Sequence, residues 1–176
     1  MLFLAALTSA ATIYAQSNPL SMELKQNYTG VKTDLLKAAD KMGEDNYGFK
    51  SSPETRTFAQ QVAHVADTQI ALCSVAKGEQ KRGDAATKTS KADLMASLKA
   101  SFDYCDGAYD ALTDADGLQM VKMFGRDRTK FGALDFNVIH DSEMYGTIAV
   151  MLREKGVVPP STADRPMQGK GGGKKQ

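Results

Sequence analysis

Residues 136–156 read FNVIHDSEMYGTIAVMLREKG, and this stretch decides the fold. Side chains four positions apart stand on one side of a helix, so His140 and Met144 lie one above the other. A thioether thus occupies the place where a second imidazole would complete an H-x-x-x-H metal pair. Leu134, Val138, Tyr145, Ile148 and Leu152 recur as packing positions on the same rod. Gly156 suits the position just past a helix end, and Pro159-Pro160 bars continuation. The spacing predicts a helix over about 130–155.

Three further stripes lie upstream. Asn18-Pro19 pairs a capping residue with proline at the first helical position, and Leu24, Tyr28, Val31, Leu35, Ala38 and Met42 follow at alternating steps until Gly43. Ser52-Pro53 repeats that signal for a second helix reaching about Lys77. Phe58, Val62, Val65, Leu72 and Ala76 mark one of its faces and His64, Thr68, Ala71 and Val75 an adjoining one. That helix is therefore expected to be buried on more than one side, with His64 inside or on a pocket wall. Ser90 and Asp93 form a capping box ahead of Leu94, Leu98, Phe102, Cys105, Tyr109 and Leu112. The connection 114–129, DADGLQMVKMFGRDRT, has turn signals at both ends of a short apolar core, and such a segment packs as a flap that can roof a pocket. The class is all-α: a four-helix bundle with a long connection before the last helix. Linker lengths leave up-down-up-down and crossover topologies open.

The chain of 176 residues carries 22 basic and 21 acidic side chains, for a net charge of +1. That balance suits one globular domain and supplies no field to attract nucleic acid. The opening MLFLAALTSAATIYA is apolar or small throughout and reads as a signal peptide over 1–15, although no basic residue precedes the run. Export then implies a secreted or periplasmic location with no stable membrane span after leader cleavage. The bundle domain occupies 16–160, and 161–176, ending GKGGGKKQ, reads as a disordered basic tail. Cys73 and Cys105 fit either one disulfide or two small buried hydrophobes, and spacing does not choose between them.

The chain has two histidines, His64 and His140, each in the interior half of a long helix. Two imidazoles on facing helices are either a core metal pair or hydrogen-bonded core residues. An ion shared through bonds of roughly 2.1 Å requires the ring nitrogens within about 4.5 Å of each other. Asp67 and Asp141 are candidates to orient an imidazole, with surface solvation as the plainer fate of both. Glu143 is expected on the helix flank and Tyr145 in packing. Arg126-Asp127-Arg128 reads as a wet charged turn, and Met120, Met123, Met144 and Met151 as core filler.

The segments RTFAQQVAHVADTQ at 56–69 and HDSEMYGTIAVMLREKGVVPPS at 140–161 resemble the DinB-like superfamily, the damage-inducible four-helix proteins and not the DNA polymerase that shares the name. The resemblance spans about 19–162, and its most specific part is the run H-D-x-E, Y-G, K-G-x-V-P-P-S. It implies a divalent metal, zinc or nickel, held by one histidine on the second helix and two on the last. Residue by residue these positions are His64, His140 and Met144, so one imidazole is replaced by a weak, soft ligand. The resemblance also implies a metal-dependent, thiol-using transferase or isomerase and pairing as a homodimer; a hydrolase using metal-bound water is the other route open to such a site, with a small-molecule ligand as partner in each case. The alternative is a noncatalytic binding or structural bundle in which Met144 belongs to an apolar pocket.

Overall fold

The computed structural model describes residues 18–165. Three long helices come first: α1 (Pro19–Lys41), α2 (Phe58–Ala76) and α3 (Lys91–Asp110). A short helix α4 (Asp114–Gly117) and a hairpin of β1 (Met120–Met123) and β2 (Arg126–Thr129) lead into α5 (Lys130–Glu154), and one turn, α6 (Pro160–Ala163), follows. The leader assigned to 1–15 lies outside the described residues. The tail boundary expected at Ser161 falls inside α6, which is tied back by a Lys37–Asp164 ion pair and by a hydrogen bond from Arg153 to Thr162. Residues 166–176 also lie outside the described region.

The molecule is an all-α four-helix bundle. α1 packs between α3 and α5, and α2 does the same from the other side, so α1 and α2 occupy opposite corners. The connection 42–57 therefore joins opposite corners. The connector after α2 runs back along that helix, from Lys81 beside Ser74 to Ala85 beside Asp67. Lys91 at the start of α3 thereby reaches the Asp40 and Met42 carbonyls at the end of α1, a crossover topology. The expected stripes face inward. Leu24, Tyr28, Leu35 and Ala38 of α1 meet Leu94, Leu98, Phe102 and Tyr109 of α3 and Leu134, Ile148 and Leu152 of α5 in one core. The rings of Tyr28 and Tyr109 stack at 3.8 Å with planes 9° apart. α2 buries Phe58, Val62, Val65, Leu72 and Cys73 on a broad front, as its two apolar faces require. A Cys73–Cys105 disulfide, with Cα atoms 5.4 Å apart, joins α2 to α3.

Helix ends follow local chemistry, with one correction. Ser90 accepts from the amide of Asp93 and starts α3 as expected. The second helix begins not at Ser52-Pro53 but at Phe58. Thr57 accepts from the Gln60 amide while the Gln60 side chain accepts from the Thr57 amide, a complete capping box. The residues before it turn on themselves through Thr55 to Ser52, and the amides of Phe58 and Ala59 bond to the carbonyls of Phe49 and Tyr47. Those two amides are thus satisfied from outside the helix, which fixes its start five residues late. Asn18 makes no side-chain cap on α1. The Asp114 carboxylate instead accepts from the amides of Leu20 and Ser21 at 3.2 and 2.8 Å, and Asn18 Oδ1 accepts from the Asp114 amide.

The flap over 114–129 is an ordered hairpin. Val121 pairs with Arg128 and Met123 with Arg126, and the two-residue turn places Phe124 and Gly125 at φ 51° and 75°. Positive φ at both central residues is the tight hairpin turn that matches strand twist. Met123, 1% exposed, pins the hairpin by packing with Leu72 of α2 and Ala133 of α5, flanked by Val75, Val121 and Phe136.

Candidate metal centre

α2 and α5 are neighbours, and each carries one histidine on its facing side. His64 Nε2 and His140 Nε2 approach to 3.2 Å, with ring centroids 5.1 Å apart and planes at 68°. At that separation one nitrogen donates its proton to the other. The flanking groups select which: His140 Nδ1 lies 3.7 Å from the Asp141 carboxylate, which favours a proton on Nδ1, so His140 Nε2 is the acceptor. His64 Nε2 then donates, and its Nδ1 faces the Thr68 hydroxyl at 3.5 Å. Thr68 serves either tautomer of His64, because a hydroxyl both donates and accepts. Burial lowers the pKa of His64, and the nearby Arg56 and His140 lower it further against an opposing pull from Asp67.

Asp141 is not on the surface as its sequence position suggested; it is fully buried. Gln69 Nε2 donates to its Oδ2 at 2.9 Å and Asn137 Nδ2 at 3.3 Å, and Asn137 also reaches the Tyr109 hydroxyl. Asp141 Oδ1 and His140 Nδ1 are both buried without a hydrogen-bond partner and face each other at 3.7 Å, a charge contact and not a hydrogen bond. Burial pushes the Asp141 carboxyl up to about 6, partly offset by the His140 ring. Asp67 is half-buried and does not orient an imidazole through a hydrogen bond. It accepts from the amides of Ala85 and Ala86 at 2.8 and 3.1 Å and anchors the connector after α2.

Met144, the third candidate position, is half-buried beside the core, and Gln61 Nε2 donates to its sulfur at 2.7 Å. Among the described residues no three His, Cys, Asp or Glu side chains are grouped to hold an ion. The donor set fits an ion held by two imidazole nitrogens, with the thioether as a soft third group, and does not fit a three-imidazole centre. Glu143 is exposed on the flank of α5. Tyr145 hydrogen-bonds Ser161 through its hydroxyl. Met123 and Met151 are buried and Met120 is exposed, so the methionines do not gather into a copper set. Asp127 pairs with Lys122, while the Arg128 guanidinium lies 5.6 Å from the centroid of the Phe136 ring.

The histidines line a cleft of about 1380 Å³, floored by α2, with the connector 78–83 on one side and the hairpin 120–125 with Phe136 on the other. Three residues of this neighbourhood escaped sequence reasoning: Gln61, Gln69 and Asn137. Their signal was an uncharged amide within an otherwise apolar stretch of helix, a side chain that is buried only with partners.

A four-helix bundle with two converging imidazoles above a hairpin-covered cleft defines a class of scaffold, the helical bundle with a candidate metal site between its rods. The DinB superfamily model matches residues 27–148, and the chain belongs to that superfamily. Its fold is similar to that of a DinB-like protein from Bacillus cereus, at 18% identity and TM-score 0.68, covering 79% of this chain and 95% of that one. A DinB-like protein from Bacillus subtilis is similar at 18% identity and TM-score 0.64, covering 76% and 92%. Comparison with curated protein sequences finds no match.

Proposed function

We propose that His64 and His140 hold a divalent metal, zinc or nickel, loosely at the head of the cleft, and that the exported chain is a transferase or hydrolase of a small molecule entering beneath the hairpin. The observation that carries this reading is the 3.2 Å approach of two Nε2 atoms from different helices. That distance lies within the span of two bonds of roughly 2.1 Å to one ion. A bound ion supplies Lewis acidity, which makes a thiol or water nucleophilic near neutral pH. The Asp141 carboxylate faces His140 Nδ1 at 3.7 Å, which favours the ring orientation that leaves Nε2 toward His64. Thr68 steadies His64, and Gln61 holds the Met144 sulfur. The disulfide supports export, because such bridges persist in oxidising compartments.

The test is elemental analysis of the purified full chain beside Met144→His, each stripped with EDTA and then exposed to limiting zinc or nickel. Wild type should retain metal weakly through the two histidines. Met144→His should approach one ion per chain with affinity at least about tenfold higher, since imidazole replaces thioether. His64→Ala should abolish uptake in both backgrounds. Absence of metal and of any thermal stabilisation in wild type and Met144→His alike overturns the proposal.

The Gln61 contact to Met144 favours a second reading, in which the bundle is noncatalytic and the imidazoles share a proton and nothing else. Uptake by Met144→His together with none by wild type selects that reading.

A further inference from the structure

The cleft beyond the histidines has a chemical character of its own. Between His64 and Val75 the α2 floor runs for roughly 16 Å. Its walls are apolar on the hairpin side, where Val75, Val121, Met123 and Phe136 meet. The connector returns along the opposite side. Gly83 packs so closely on Asp67 that a side chain there would collide with the carboxylate and the backbone, so the connector lies against α2 at this point, and the neighbouring Arg82 is exposed at the cleft rim.

Formal charges around the cleft are almost all committed. The Asp67 carboxylate accepts from two backbone amides and has no cationic partner within ion-pair distance among the described residues. Glu79 is taken by Lys81 and by the Tyr104 hydroxyl, and Lys122 by Asp127. Among the described residues lining the cleft, Arg82 is the cation left without a carboxylate partner. An apolar trough with one uncommitted guanidinium at its edge complements a particular kind of molecule. The trough removes a hydrocarbon body from water, and the planar fork of arginine matches a carboxylate.

We propose that the cleft binds an amphipathic anion, a small molecule whose apolar body lies along α2 beneath the hairpin and whose single carboxylate head meets Arg82. This goes beyond the metal reading and needs no ion. A neutral molecule of the same body forgoes the guanidinium, a cation meets its repulsion, and a short carboxylate forgoes the trough.

The experiment is isothermal titration calorimetry of the full chain in EDTA with decanoate, decanol, decyltrimethylammonium and propionate. Decanoate should bind at least about tenfold tighter than decanol, with the other two weaker still. Arg82→Gln should erase the advantage of decanoate over decanol. Arg82 is exposed, so that variant should keep the wild-type melting temperature. Val75→Glu, which places a carboxylate on the trough wall, should abolish decanoate binding. Equal affinity for decanoate and decanol, an unchanged affinity in Arg82→Gln, or no binding of any of the four overturns the proposal. Because EDTA is present, decanoate binding sustains this proposal whatever the separate zinc and nickel loading shows, and failure of that loading removes the metal reading alone. Metal uptake without decanoate binding does the reverse.

Discussion

Asp141 places a carboxyl in the core, where its Oδ2 has amide partners and its Oδ1 has only the His140 ring. It titrates at about 6 when folded, against an ordinary aspartate value near 3.9. The folded chain therefore binds more protons than the unfolded chain between those values, and this group's contribution to stability falls as pH rises through that window. Asp141→Asn keeps an acceptor for Gln69 and removes the buried charge. Thermal melts in EDTA should show the variant close to wild type at pH 4 and several degrees above it at pH 7. A gap independent of pH would contradict the assignment. The pairing of His64 with His140 was legible in the sequence because each histidine falls in the interior half of a long helix and the DinB-like resemblance marks both positions. The burial of Asp141 was not, since an acidic residue beside a histidine reads as solvated unless the amides that receive it are known. Those amides come from Gln69 on another helix and Asn137 one turn earlier, and nothing local announces the former.

At the scale of elements, caps decided where rods begin. Thr57→Ala removes half of the capping box on α2 and should cost about 1 kcal/mol in urea denaturation. The same substitution at Ser52 should cost little, because Ser52 caps no helix. Asp114 caps α1 from a distance, and hydrogen bonds from the Ser21 and Leu20 amides outweigh desolvation to hold its carboxyl below the usual range. A depressed carboxyl stabilises above its unfolded pKa and loses that contribution as pH falls through the folded value. Asp114→Ala should therefore melt below wild type at pH 7, with the difference closing as Asp114 protonates in strong acid; a difference that persists there would mean the carboxylate charge is not what matters. Helix stripes were legible from the start, because a period near four is written directly in α1, α3 and α5. Two things were hidden. Ser52-Pro53 imitated a helix start that lost to the better box five residues on, and Phe124 at a positive φ concealed a hairpin turn usually signalled by asparagine or aspartate before glycine.

For the molecule as a whole, the cross-link is the largest single test. Cys73–Cys105 closes 32 positions of chain, which loop entropy converts to about 3–4 kcal/mol. Paired substitution to alanine should lower the urea midpoint accordingly, and an unchanged midpoint would show that the bridge does not form in solution. Among the described residues no helix is long and apolar enough to cross a membrane. The fastening of α1 by Asp114, 93 positions downstream of Ser21, has a consequence for the order of events during synthesis. α1 is made well before the carboxylate that ties off its leading end. Until residue 114 is added, the amides of Leu20 and Ser21 have only water to donate to, so the opening turn of α1 gains its fastening from a residue synthesised long after it.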